Sequence, residues 1–100
     1  MLHTVNKSPF ASPTLTQCVG HLTDGAAVLL IEDAVVGATE GTASGALLAK
    51  CLKTHPVYVL RPDLMARGIG EGRLVKGVQC VDYAGFVTLV TEHDAVQSWL

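Results

Sequence analysis

Charge is scarce in this chain. Asp, Glu, Lys and Arg together make up 16% of its 100 residues, against roughly 25% in an ordinary soluble domain. Seven basic and nine acidic residues leave a formal net charge of −2. No basic run is present, Lys50 and Lys53 being the nearest approach to one. Direct nucleic-acid binding is therefore not expected, because a phosphate backbone is held by clustered cations. Long apolar runs are also lacking. The longest, Ala26–Ile31, falls far short of the roughly 20 residues that span a bilayer. No charged n-region and apolar h-region open the chain, which starts at once on strand-like residues. No membrane and no secretion are expected.

Cysteine is sparse and odd in number. Cys18, Cys51 and Cys80 stand far apart, which excludes a disulfide framework and predicts a cytoplasmic location. There is no Cys-x-x-Cys and no His-Glu-x-x-His, and His3, His21, His55 and His93 show no metal spacing. Gly68-Ile69-Gly70-Glu71-Gly72 is a fragment of a dinucleotide fingerprint without the flanking strand and long helix. A Walker loop is absent. No metal and no organic cofactor is expected.

What is plentiful is apolar surface, 49% of residues. A domain of this size has much surface and little interior. Some apolar residues should face another protein, so an obligate oligomer is expected. Trp99 and Leu100 strengthen this. A terminal Trp left in water wastes a large apolar area, so it should dock on this domain or on a neighbour.

The pattern alternates strands and helices. Leu2–Val5 reads as a strand. Ser12 and Pro13 read as the N-cap and first residue of a helix. In Thr14–Leu22, Leu15, Cys18, Val19 and Leu22 follow helical spacing. Val28–Ile31 reads as a strand buried on both faces. A short helical turn and a glycine-broken stretch lead to a helix over Ser44–Lys53. Its buried side is Leu47, Leu48, Cys51 and Leu52. Val57–Leu60 is a third strand, followed by a short helix to Arg67 capped by Gly68. Val78–Val81 is a fourth. Asp82 caps a last helix with an apolar stripe of Tyr83, Phe86, Val87 and Val90. This predicts one domain over 1–100, an α/β/α three-layer sandwich on a mainly parallel sheet of about four strands. By analogy with doubly wound folds the expected strand order is 2-1-3-4.

Chemistry has few places to reside. Cys51 and Cys80 read as small core residues. Cys18 shares the apolar stripe of its helix, which favours burial. His21, three residues on, can share a helix face with it, and a protonated imidazole promotes the thiolate. Glu32-Asp33 reads as a solvated strand end, the alternative being a cation site or an acid–base pair. Ser8 and Arg61 mark the crevice where a stand-alone small-ligand binder would work.

Several segments together carry a resemblance. Leu2-His3-Thr4-Val5-Asn6-Lys7-Ser8-Pro9-Phe10, Leu29-Leu30-Ile31-Glu32-Asp33, Tyr58-Val59-Leu60, Pro62-Asp63-Leu64-x-Ala66-Arg67-Gly68, Val81-Asp82-Tyr83-x-x-Phe86-Val87 and Gln97-x-Trp99 resemble the DsrH/TusB family, on its DsrH side. The resemblance implies a DsrEFH-like fold and a cytoplasmic sulfurtransferase (sulfur-relay) complex passing persulfide sulfur between cysteines. It implies assembly with DsrE/TusD-type and DsrF/TusC-type subunits as a dimer of heterotrimers, and delivery to a downstream sulfur-acceptor protein. The sulfur would serve tRNA wobble-uridine 2-thiolation or intracellular sulfur oxidation. Cys18 matches the candidate sulfur-carrying position, with His21 as possible thiolate support. The alternative is a non-catalytic assembly subunit that completes a DsrE/TusD-type partner's active site.

Overall fold

The computed structural model describes residues 1–100. Five strands and four α-helices alternate: β1 Leu2–Val5, α1 Thr14–Gly20, β2 Ala27–Leu30, α2 Ala43–Cys51, β3 Val57–Leu60, α3 Arg61–Ala66, β4 Gln79–Val81, α4 Tyr83–Glu92 and β5 Val96–Trp99. A 3₁₀ segment, Glu32–Ala38, follows β2, and a 3₁₀ turn, Glu71–Arg73, precedes β4. Every strand pairing is parallel, in the order β4-β3-β2-β1-β5.

The parallel α/β sandwich is as expected, with two corrections. The sheet has a fifth strand. Val96-Gln97-Ser98-Trp99 looks like a polar tail, yet it pairs along β1 with Leu2 opposite Val96 and Val5 opposite Trp99. Four residues with two polar ones carry no clear period. Their partner lies at the other end of the chain, so only the fold brings them together. The order 2-1-3-4 is also wrong: β2, not β1, is the middle strand of the first three, lying between β1 and β3.

The order explains the layers. Three successive crossovers step the same way, from β1 to β2 to β3 to β4. Right-handed crossovers in one direction put their connections on one face. There Val5, Val28, Leu30, Val57 and Val59 meet Leu15, Cys18, Val35, Leu48, Cys51 and Leu64 in a core of 15 buried residues. The last crossover runs back past β1 to β5, so right-handedness puts α4 on the opposite face. That face holds a core of only four buried residues, Leu2, Ala27, Leu29 and Leu89.

One helix roughly 10 Å wide cannot cover five strands spaced about 4.8 Å apart. The second layer is correspondingly thin. The expected stripe of α4 divides. Phe86 packs with the buried Leu89 against the sheet, whereas Tyr83 and Val87 are 62% and 63% exposed and Val90 is 37% exposed. A helix apolar on both sides is normally covered on both.

Local signals set several boundaries. The Asp82 carboxylate accepts from Gly85 N–H at 2.8 Å and starts α4. Thr42 Oγ1 accepts from Gly45 N–H at 3.0 Å and starts α2. At α1 Pro13, rather than Ser12, is the N-cap residue, and Ser12 Oγ accepts from Thr14 N–H at 3.3 Å.

Gly45 is fixed by contact. A Cβ there would collide with the Thr39 carbonyl oxygen and press on Val75 Cγ2 at 3.2 Å. Gly45→Ala is expected to destabilise the chain by about 2 kcal/mol and lower Tm by about 10 °C. Gly72→Ala, with nothing within 4 Å, should leave Tm nearly unchanged. Equal melting curves for the two variants would refute the packing argument.

Candidate functional site

The helical spacing turns Cys18 inward. Like Leu15 it has no exposed surface, and both lie in the larger core. A thiolate there would be a charge among aliphatic side chains. Burial pushes the Cys18 thiol up to about 12, and the neighbouring Cys51 adds to the rise. At neutral pH Cys18 is a protonated thiol without solvent access.

His21 lies just past α1 and is exposed. Its Nδ1 is 2.7 Å from the Gln17 carbonyl oxygen, to which it donates. Its ring stands 5.6 Å from that of Trp99. These are the polar and ring contacts of His21, and the causes of the Cys18 rise are burial and Cys51. Trp99 docks on its own domain. Its Nε1–H donates to Nδ1 of the buried His3 at 3.0 Å. Burial, followed by the N-terminus, His55 and His21, lowers the His3 pKa, which suits a neutral acceptor.

Cys51 ends α2 with 6% of its surface exposed, and burial raises its pKa. It lies in the wall of a cleft of about 380 Å³ beside Val19, Leu22 and Leu47, with Lys50, Lys53 and His55 around it.

Cys80 packs against the larger core, as its apolar surroundings imply, but is not sealed in it. It is half-buried on β4, an edge strand. Arg61 and Glu71 form an ion pair, Arg61 Nε lying 3.2 Å from Glu71 Oε2. The Cys80 thiol is pushed up to about 11, first by burial and then by the Glu71 carboxylate, while the Arg61 guanidinium pulls the other way. Two apolar neighbours, Val78 and Val81, mimic a buried strand in the sequence. Nothing local marks β4 as an edge.

The other candidates are engaged in structure. Asp33 Oδ1 accepts from Arg67 Nη2 at 2.8 Å. Glu32 N–H donates to Asp63 Oδ2 at 2.7 Å, with Glu32 in the left-handed region at φ 51°. Ser8 Oγ accepts from Phe10 N–H at 3.2 Å. Neither Ser8 nor Arg61 lines any of the five clefts. No group of three His, Cys, Asp or Glu side chains is placed to hold a metal ion, and no helix is long and apolar enough to cross a membrane.

The molecule is thus a small parallel α/β domain with three thiols in three environments and one face thinly covered. The family model for DsrH-like proteins matches residues 7–96, and the chain belongs to this DsrH/TusB family. It is 35% identical over 100 residues to protein TusB of Pectobacterium parmentieri, covering 99% of this chain and 100% of that protein. It is 33% identical over 101 residues to protein TusB of an Escherichia coli strain, with the same coverage. The crystal structure of the ychN protein of Escherichia coli shares the fold, with a TM-score of 0.78 over 97% of each chain at 20% identity.

Proposed function

We propose that this chain is a subunit of a cytoplasmic sulfur-relay complex in which persulfide sulfur passes between cysteines. Its partners are subunits of DsrE/TusD and DsrF/TusC type, in a dimer of heterotrimers that hands sulfur to a downstream acceptor protein. Membership of the DsrH/TusB family along nearly the whole chain carries this reading. The low charge and the bare outer side of α4 support dependence on partners. The TusB relatives favour tRNA wobble-uridine 2-thiolation as the destination. Deleting the gene should remove 2-thiouridine from tRNA. Loss of sulfur oxidation with intact 2-thiouridine would move the chain to the other branch.

Cys18 contributes packing in this reading, and the main acceptor cysteine lies on a partner. A sealed, protonated thiol is a poor nucleophile, because the thiolate is the attacking form. His21, turned to Gln17 and Trp99, gives it no support. Cys18→Ala in the assembled complex should leave the sulfur-transfer rate within about twofold of wild type. A fall of more than about tenfold in a complex that still assembles would make Cys18 the carrier.

A further inference from the structure

We propose that the two clefts flanking the end of α2 form one docking surface for an acidic segment of a partner protein, with aliphatic side chains between its carboxylates. Such docking goes beyond the relay reading and would stand without it. The first cleft, of about 380 Å³, is floored by Val19, Leu22 and Leu47. The second, of about 620 Å³, lies along Leu52 and Pro56. Lys53, Thr54 and His55 line both, so the two clefts share a wall.

The backbone builds that wall. The Leu48, Lys50 and Cys51 carbonyls accept from the N–H groups of Leu52, Lys53, Thr54 and His55. His55 Nε2 donates to the Thr23 carbonyl oxygen at 3.0 Å and ties the wall to the turn before β2. Gly77, in the left-handed region at φ 103°, folds the turn before β4 against Leu52. A Cβ on Gly77 would stand 3.3 Å from Leu52 Cδ1. This brings Lys76 to the same surface.

Three of the seven basic residues, Lys50, Lys53 and Lys76, thus surround an aliphatic floor. All three are exposed, and none forms an ion pair. No Asp or Glu lines either cleft. Arg61 and Arg67, by contrast, are each paired, with Glu71 and Asp33. Nor are Lys50 and Lys53 needed as caps, because the last α2 carbonyls are already taken by backbone N–H groups. The patch is positive on a chain whose net charge is −2.

Charge complementarity then selects the occupant. Carboxylates match the lysines at the rim. The half-buried Val19, Leu22, Leu47 and Leu52 match aliphatic side chains at the centre. A nucleic acid fits less well, because no Phe, Tyr or Trp lines either cleft to stack a base.

The test titrates the ¹⁵N-labelled full chain with the peptide acetyl-Glu-Leu-Glu-Glu-Leu-Glu-amide and follows the backbone amide shifts. Saturable shifts are expected to cluster at Val19, Leu22 and residues 47–55 and 76–79. The same peptide with Gln for every Glu should bind at least about tenfold more weakly. The acidic peptide should lose as much on the Lys50→Gln/Lys53→Gln/Lys76→Gln variant, whose Tm should stay within about 3 °C of wild type. Added salt should weaken the acidic peptide and not the Gln peptide. No saturable shift at these residues, equal binding of the two peptides, or a folded triple variant that binds like wild type overturns the proposal. So does hexauridylate binding these residues more tightly than the acidic peptide, which would make the surface a nucleic-acid contact.

Discussion

Val87→Asp should abolish assembly with sister subunits while leaving the isolated chain folded. Val87 is 63% exposed on the outer side of α4. Phe86 and the buried Leu89 hold the inner side to the sheet, so an aspartate at 87 meets only water in the free chain. Its Tm should stay within about 3 °C of wild type. In the assembled state the carboxylate would lie unpaired against apolar surface, at a cost of several kcal/mol. The affinity for partners should drop at least about 100-fold. Thr88→Asp, one residue round the helix, is the control and should assemble. Calorimetric titration and co-purification read the first quantity, and thermal melting the second. Normal assembly by Val87→Asp would show that this side of α4 stays in solvent. Unfolding of the free variant would show that Val87 supports the fold instead.

Alkali should destabilise the fold through Cys18. Its thiol stands at about 12 in the folded chain against 9.0 as the ordinary value, chiefly because of burial. The folded state therefore keeps a proton that the unfolded state releases. This contribution is complete below pH 9 and is lost as pH rises through the folded value. Between these limits it amounts to about 4 kcal/mol. Cys51 and Cys80 titrate in the same direction, so the measurement is a difference. The stability of wild type minus that of Cys18→Ala, followed by urea unfolding, should shrink by about 4 kcal/mol from pH 9 to pH 12. A difference that stays constant would mean that Cys18 ionises in place without penalty, and the case against it as a nucleophile would fall.

The legible parts of this molecule are those set by near neighbours in sequence. The bounds of β1 and β3 follow from compact apolar runs ended by polar residues or proline. The side chain of Asp82 caps α4 as its position before an apolar stripe implies. Leu15 and Cys18 turn inward as helical spacing requires. What the sequence does not show has one common source. Helical spacing pairs His21 with Cys18, but α1 ends at Gly20, and past that point the ring contacts the Gln17 carbonyl and Trp99. Trp99 in turn is placed by β5, a strand that exists because β1 has a free edge. The apolar neighbours of Cys80 suit the core it packs against but do not mark its strand as an edge, and the apolar residues of α4 read as a single stripe that the fold divides.

The sequence by itself determined the alternation of parallel strands and crossovers, the helix starts and the inward turn of Cys18, and its low charge with abundant apolar surface pointed to partners. Which strands are edges, which thiol solvent can reach and which side of α4 lies bare were decided by the tertiary structure. The reason lies in the crossovers. Their handedness is fixed, but their direction across the sheet is not written in any local pattern. One reversal after β4 joins the two chain ends, leaves Cys80 at a margin and strands a single helix on the second face.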